Sequence, residues 1–248
     1  MGDSLKVPTN LGFTAKDIRV AVQRRDVIIV IDVLRCCSTI VTALANAAEE
    51  IIPTRTVREA RMLHKKHPEL ILAGERGGIK PHGFDCGNSP LEFTYQKVKG
   101  NRVVLTTTSG TKAIVLSKNA EYVFTGAFLN AEAIAKATVT VAEREETGIS
   151  FITAGSDRCF SLEDFICAGA IARCLPSERA EHSDVVWAAL LAFQQAHKSL
   201  YEIIRSGRHA RRLKSLGFEE DVKFCCQLDV SQFVPFLKGD SIVLFARA

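Results

Sequence analysis

Apolar runs alternate with helical patterns along this chain. Three segments share one plan, in which a Val/Ile/Leu run is followed by a polar turn and then by Ala/Leu positions at helical spacing. They are VIIVIDVLRCCSTIVTALANAAEE at 27–50, RVVLTTTSGTKAIVLSKNA at 102–120 and ISFITAGSDRCFSLEDFICAGAIARCL at 149–175. Strands that alternate with helices predict an α/β fold with a mostly parallel or mixed sheet, covered on both faces.

The segments between these units predict further elements. EEIIPTRT and AEYVFTGAF have the pattern of short strands, and VREARMLHKKHP that of a helix ending near Pro68. DVVWAALLAFQQAHKSL predicts a helix over 184–200 with Trp187 and Phe193 in the core, and residues 221–248 predict a strand, a turn and a terminal strand. The Gly/Pro-rich loop at 74–90 is long for a compact domain, which favours a binding loop over an insertion.

Size and composition are those of an ordinary globular protein. With 248 residues, 47% hydrophobic and 24% charged, we expect a single compact unit over 1–248, with two similar halves meeting near 100–130 as an alternative. The chain has no apolar run of 18 residues and an early charged segment, so we expect a cytoplasmic protein without a membrane segment. Eight cysteines without metal-finger spacing favour free thiols.

Charge argues against a nucleic-acid partner. The formal net charge is only +4, and no basic stripe is interleaved with aromatic residues. The densest basic run, at 205–214, is either a solvated helix face or a positive rim that attracts an anionic substrate. The oligomeric state stays open, with a homo-oligomer as one outcome.

The first polar turn carries candidate chemistry. Asp32 ends a strand, Arg35 follows three residues later, and Ser38 and Thr39 have the character of helix caps. A carboxylate suits Mg²⁺ and a guanidinium suits a phosphate or a sulfonate. The alternative is a structural salt bridge between Asp32 and Arg35.

The other turns add candidates for the same edge of the sheet, because ligands gather at the carboxyl ends of parallel strands. The second turn offers hydroxyls and a glycine as a neutral anion cradle. Glu163 and Asp164 follow a capping serine, Ser161, and are either helix-start acids that offset the dipole or ligands. The candidates in the second turn and in the long loop are Thr107, Thr108, Ser109, Gly110 and Thr111, and Glu75, Arg76, Lys80, Asp85 and Asn88.

Several familiar sites are absent from the sequence. GERGGIK lacks the spacing and the hydroxyl residue of a phosphate-binding Walker loop, which disfavours a nucleoside triphosphatase. The six histidines form no HxH or HExxH pair, and no GxSxG elbow is present. Asp32 is followed by Val33 and Leu34, so the DxD signature of haloacid-type phosphatases is missing as well.

Five motifs in order resemble those of the 2-phosphosulfolactate phosphatase family. They are IDVLRCCSTI, GERGGIKPHGFDCGNSP, TTTSGT, AG followed by SLED, and GFEEDVKFCCQLD, and they span roughly 30–235. The resemblance implies a three-layer α/β/α fold and Mg²⁺-dependent hydrolysis of 2-phospho-3-sulfolactate to 3-sulfolactate and phosphate, a step in coenzyme M or sulfolactate metabolism. It marks as site candidates Asp32, Arg35, Glu75, Arg76, Asp85, Asn88, Thr107, Gly110, Thr111, Glu163 and Asp164.

The resulting hypothesis is a phosphatase for a small anionic phosphorylated substrate. Asp32, with Glu75 or Asp85, is expected to hold Mg²⁺, and Glu163 and Asp164 are further candidate ligands. The predicted catalytic residues are Asp32, Arg35 and Arg76, and the predicted substrate-binding residues are Lys80, Asn88, Thr107, Thr108, Ser109, Gly110 and Thr111.

Three alternatives stay open beside this hypothesis. Cys36 or Cys37, near a helix N-terminus, could supply a thiolate nucleophile, although the CxxxxxR spacing of cysteine phosphatases is missing. The substrate could be another phosphorylated hydroxy acid. The chain could also be a non-catalytic, anion-binding regulator.

Overall fold

A computed structural model of the chain describes residues 6–155 and 160–245, which contain ten strands and eleven α-helices. The strands are β1 Val7–Gly12, β2 Val27–Ile31, β3 Glu50–Thr54, β4 Ile71–Gly74, β5 Arg102–Thr106, β6 Val123–Gly126, β7 Ile149–Thr153, β8 Ala180–His182, β9 Pro235–Lys238 and β10 Ser241–Leu244. The helices are α1 Ala15–Gln23, α2 Cys36–Ala45, α3 Val57–Lys66, α4 Tyr95–Val98, α5 Gly110–Leu116, α6 Ala131–Arg144, α7 Leu162–Arg173, α8 Asp184–Ala196, α9 Leu200–Arg205, α10 Arg208–Ser215 and α11 Glu219–Cys225.

All ten strands form one mixed sheet in the order β4-β5-β3-β10-β9-β6-β2-β7-β1-β8. Five strands from β6 to β8 in that order are parallel, and β3, β5 and β4 form a second parallel section. The antiparallel hairpin β9–β10 joins the two sections. This mostly parallel sheet with alternating helices confirms the predicted fold class, and the division into two similar halves stays a prediction.

The joints at the hairpin are narrow. Each is a single residue pair, Ile242 with Ile51 on one side and Phe124 with Phe236 on the other. Helix α2 contacts β6 and β3, and α5 contacts β2 and β3, so both helices touch strands of both sections. The sheet therefore curls around α2 and α5, which brings the carboxyl ends of β2, β4 and β5 to one place.

Helices cover both faces of the sheet, which gives the three predicted layers. The side chains of β2 alternate between two cores: Val27, Ile29 and Ile31 pack with α6, α7 and α8, whereas Ile28 and Val30 pack with α1, α2 and α5. A continuous apolar strand is expected where both faces are buried. A smaller core lies between α3 and the outer side of β4 and β5.

Two sequence predictions about the C-terminal half are wrong. The segment predicted as a strand from residue 221 lies in helix α11, which begins with three acids that offset its dipole. Trp187 is 51% exposed, because α8 turns its neighbours Val186, Ala189 and Leu190 towards the core instead. Phe193 is buried as predicted, and the chain does end in a strand.

The sequence patterns also did not predict β1 and α1, since VPTNLG carries too few β-branched residues to stand out. Within the described ranges, no helix has the length and apolar character needed to cross a bilayer. Seven cysteines lie in those ranges and all are free thiols, as predicted.

Candidate active site

An open cleft lies where β2, β4 and β5 end, and helix α10 forms one of its walls. Together with the solvent at its open mouth, the space in the cleft is about 460 Å³. Its lining contains six predicted site residues, Asp32, Arg35, Glu75, Asn88, Thr108 and Ser109, together with Leu34, Gly77, Gly78, Gly155, His209, Arg212 and Leu213.

Asp32 is the carboxylate at the floor of the cleft. Its Oδ1 accepts a hydrogen bond from the Cys36 amide at 3.3 Å, at the start of α2. The second turn packs directly against it, since a Cβ on Gly110 would lie 2.5 Å from Asp32 Oδ2 and 2.5 Å from Cys36 Cβ. Only glycine fits there, because no side chain can share that space.

Glu75 joins the long loop to the second turn. Its Oε1 accepts from the Thr108 amide at 2.6 Å, and its Oε2 accepts from the Gly78 amide at 2.6 Å and from Thr108 Oγ1 at 3.1 Å. The side chain is buried. Three donors on one carboxylate fix the loop at 75–78 against the end of β5.

The acids around Asp32 are buried close to one another. Burial, followed by the charges of Glu75 and Glu163, raises the pKa of Asp32 to about 7. Burial and the charges of Asp32 and Glu163 also raise the pKa of Asp164 well above its ordinary value. These closely spaced carboxyl groups therefore tend to keep protons near neutral pH unless a cation offsets their charge.

Glu163 and Asp164 are more than solvated helix-start acids. Ser161 caps α7 as predicted, because its Oγ accepts from the Asp164 amide at 3.3 Å. Both carboxylates are nonetheless buried, and Asp164 Oδ1 accepts from the amide of Val33 at 2.8 Å. Asp164 thus holds the backbone next to Asp32, and neither acid lines the open cleft.

Arg35 pairs with a residue that the sequence did not single out. Its Nη1 lies 2.5 Å from Asp221 Oδ2, its Nη2 donates to the Gly78 carbonyl at 2.7 Å, and its guanidinium carbon lies 4.1 Å from the centre of the Phe218 ring. The alternative of a salt bridge between Asp32 and Arg35 is therefore wrong. Arg35 faces the cleft in a fixed orientation.

The basic run at 205–214 contributes a wall of the cleft. His209 Nε2 donates to the Leu34 carbonyl at 2.8 Å, and Arg212 Nη2 donates to the Gly77 carbonyl at 3.2 Å. Leu213, on the same helix, is buried against Gly78. The run therefore forms a wall of the cleft and has an exposed face on its other side, and its attraction of an anionic substrate stays a prediction.

Other predicted site residues lie outside the cleft lining. Arg76 donates to the Glu75 carbonyl at 2.6 Å and to Thr106 Oγ1 at 2.8 Å, so its guanidinium supports the backbone of the loop. Asp85 accepts from the Leu72 amide at 2.8 Å, beside β4. Lys80 is exposed. These side chains are placed to stabilise or flank the loop.

The hydroxyls of the first and second turns also differ from the prediction. Thr107 and Thr111 bond each other, since the Thr111 amide donates to Thr107 Oγ1 at 3.0 Å. Ser38 and Thr39 do not cap α2, which begins at Cys36; their hydroxyls donate to the carbonyls of Val33 and Asn88. Only Thr108 and Ser109 of the second turn line the cleft.

Asn88 carries an unsatisfied oxygen in the cleft wall. The residue is 4% exposed, and within the described part of the chain its Oδ1 has no hydrogen-bond partner. Buried polar atoms are normally paired, so an unpaired one is typical of a position that meets a ligand or an ion. Across the described residues, no three His, Cys, Asp or Glu side chains form a group that could hold a metal ion by themselves.

The two adjacent cysteines lie beneath the site and are completely buried. Burial, the Cys36 thiol and the nearby carboxylates raise the pKa of Cys37 well above its ordinary value, and its Sγ donates to the Val30 carbonyl at 3.4 Å. A cysteine that acts as a thiolate nucleophile needs a lowered pKa. The geometry therefore does not support Cys37 in that role.

Comparison with known proteins identifies the family of this chain. The family model described as 2-phosphosulpholactate phosphatase matches residues 13–240. A probable 2-phosphosulfolactate phosphatase of Thermotoga petrophila is 41% identical over 216 residues, which cover 87% of this chain and 91% of the relative. Proteins of the same name from Caldanaerobacter subterraneus, 40% identical with coverages of 86% and 88%, and from Clostridium novyi, 36% identical with coverages of 91% and 95%, are similar too. The chain therefore belongs to the 2-phosphosulfolactate phosphatase family.

Proposed function

We propose that this protein is a phosphoric monoester hydrolase that converts 2-phospho-3-sulfolactate to 3-sulfolactate and phosphate. The observation that carries the proposal is the cleft itself, in which the Asp32 carboxylate lies with Arg35 and the basic helix α10. The similar proteins are named as 2-phosphosulfolactate phosphatases, and these names supply the proposed substrate.

The charges in the cleft suit a substrate with more than one anionic group. Arg212 on α10 supplies positive charge at the rim, and the guanidinium of Arg35 faces the interior. Ser109 adds a hydroxyl that can donate to phosphoryl oxygens. Such donors can bind the phosphate in the ground state and stabilise the charge that develops during its transfer.

Mg²⁺ is proposed as the cofactor because the donor set fits it. Asp32 and the Asn88 Oδ1 atom are hard oxygen ligands in one cleft, and Asn88 Oδ1 has no hydrogen-bond donor among the described residues. Mg²⁺ sites commonly use one or two carboxylates and complete their shell with waters and substrate phosphate, so a group of three acidic ligands is not required. A bound Mg²⁺ would offset the buried negative charge and polarise the phosphoryl group.

The test is phosphate release from 2-phospho-3-sulfolactate with Mg²⁺, repeated with EDTA. We expect turnover that EDTA abolishes. Asp32→Asn should abolish turnover and remain folded, whereas Asp240→Asn, which changes an exposed carboxylate, should leave it unchanged.

Two results would contradict parts of the proposal. If no phosphate is released, the protein is a non-catalytic anion-binding member of the family. If 2-phospholactate, which lacks the sulfonate, is hydrolysed with a higher kcat/KM, the substrate is another phosphorylated hydroxy acid. A cytoplasmic location and self-association stay predictions from the sequence.

A further inference from the structure

Asp221 is a buried acid within the motif GFEEDVKFCCQLD that the proposed chemistry does not use. It lies on α11 and is 3% exposed. Both of its oxygens have partners: Oδ2 accepts from Arg35 Nη1 at 2.5 Å, and Oδ1 accepts from Ser89 Oγ at 2.7 Å. These partners are 186 and 132 residues away in the chain.

The two partners connect different parts of the cleft lining. Arg35 lines it from the turn after β2, and its second nitrogen donates to the carbonyl of Gly78. Ser89 follows Asn88, which lines the cleft and whose Oδ1 has no partner among the described residues. One carboxylate therefore fixes the guanidinium and the asparagine turn relative to each other.

Stability alone is a weak reason for this arrangement. Burying two charges requires desolvation of both, and a well-packed apolar pair of similar volume is often as stable. A fixed guanidinium, by contrast, loses less side-chain entropy when it binds an anion, which favours binding.

We propose that Asp221 is a positioning residue for phosphate binding, which acts by holding Arg35 and the Asn88–Ser89 turn in register across the cleft. This proposal rests on the proposed phosphatase function. Asp221 contacts no reacting atom in it; its effect passes through Arg35 and through Ser89.

The main variant is Asp221→Asn, which keeps the shape of the side chain and removes its charge. Loss of a charge-assisted hydrogen bond predicts a rise of about tenfold in KM and in the inhibition constant of inorganic phosphate. We expect kcat to change less than KM. The matched control is Glu219→Gln on the same helix, which removes the charge of an acid that contacts Lys214 and the Tyr201 hydroxyl and should leave both constants unchanged.

A double-mutant cycle separates positioning from simple structural support. In an Arg35→Gln background, Asp221→Asn should have little further effect on the inhibition constant of phosphate, because the guanidinium that Asp221 positions is already absent. A merely structural role would lower the fraction of active protein and hence kcat, with unchanged KM. Unchanged KM and phosphate constants in Asp221→Asn, or an equal effect in both backgrounds, would overturn the proposal.

Ser89→Ala provides a second route if Asp221→Asn does not fold. It releases the Asn88 turn and leaves the ion pair intact, so a weaker phosphate affinity supports the proposal and an unchanged affinity contradicts it. If wild-type protein releases no phosphate from the sulfonated substrate, the proposed function fails while calorimetric binding of inorganic phosphate still tests Asp221. Absence of phosphate binding to the wild type would overturn both.

Discussion

Replacement of Asp32 by asparagine should change the pH dependence of stability in a defined direction. In the metal-free protein, burial and the charges of Glu75 and Glu163 raise the pKa of Asp32 from its ordinary value of 3.8 to about 7. The folded state therefore holds a proton that the unfolded chain has already released. A raised carboxyl pKa gives stability that is fully present below about pH 4 and is lost as the pH rises towards 7.

The magnitude follows from the two pKa values. Their separation, from 3.8 to about 7, corresponds to a loss on the order of 4 kcal/mol at about 1.4 kcal/mol per pH unit. Most of that loss, roughly 3 kcal/mol, falls between about pH 5 and pH 8. Asparagine resembles the protonated acid and cannot ionise, so Asp32→Asn should gain stability relative to wild type by this amount over that range.

The assay is urea unfolding followed by circular dichroism at pH 5, 6, 7 and 8 in the presence of EDTA. Wild type, Asp32→Asn and the exposed control Asp240→Asn are compared at each pH. The reasoning is refuted if the stability difference between wild type and Asp32→Asn does not change with pH. Added Mg²⁺ should stabilise the wild type more than Asp32→Asn, because the ion binds the folded carboxylate; equal stabilisation would remove Asp32 as a ligand.

The remaining predictions concern close packing and the thiols. Gly110→Ala places a methyl group against Asp32 and should displace its carboxylate. Activity in a phosphate-release assay should therefore fall by at least about tenfold. Near-normal turnover would contradict the contact between Gly110 and Asp32. Gly169→Ala puts a Cβ 2.0 Å from a backbone oxygen of α8; overpacking of this kind costs about 1–3 kcal/mol, which calorimetry should detect as a lower Tm. Because Cys36 and Cys37 are completely buried, the double change to serine should keep turnover within about threefold, and loss of turnover in a folded variant would revive a thiol nucleophile.

The sequence by itself determined the sheet units and the location of the central carboxylate. The run VIIVI is apolar at every position because β2 is buried on both faces. A polar residue directly after such a strand lies at the carboxyl end of the sheet, and this is where Asp32 lies. The same argument, applied to the turn after β5, predicted that Thr108 and Gly110 lie at this edge of the sheet.

Local patterns did not distinguish residues that support the loop from those that face the cleft. Arg76 and Asp85 lie in the same glycine-rich loop as Glu75 and Asn88, with similar side-chain chemistry. Which of them points inwards depends on backbone hydrogen bonds made across β4 and β5, such as that of Asp85 with the Leu72 amide. Periodicity carries no information on such pairings.

Tertiary structure alone decided which distant residues complete the site. β2 and β4 are separated by five strands in the sheet order, and Asp32 meets Glu75 only because the sheet curls around α2 and α5. Asp221 and Arg212 come from short helices late in the chain, in a basic run and a row of acids that also suit a solvated surface. The burial of Asp221 and the contacts of these two residues with Arg35 and Gly77 arise from long-range packing. A side chain's partner across 100 or more residues is set by the assembled fold and not by its neighbours in sequence.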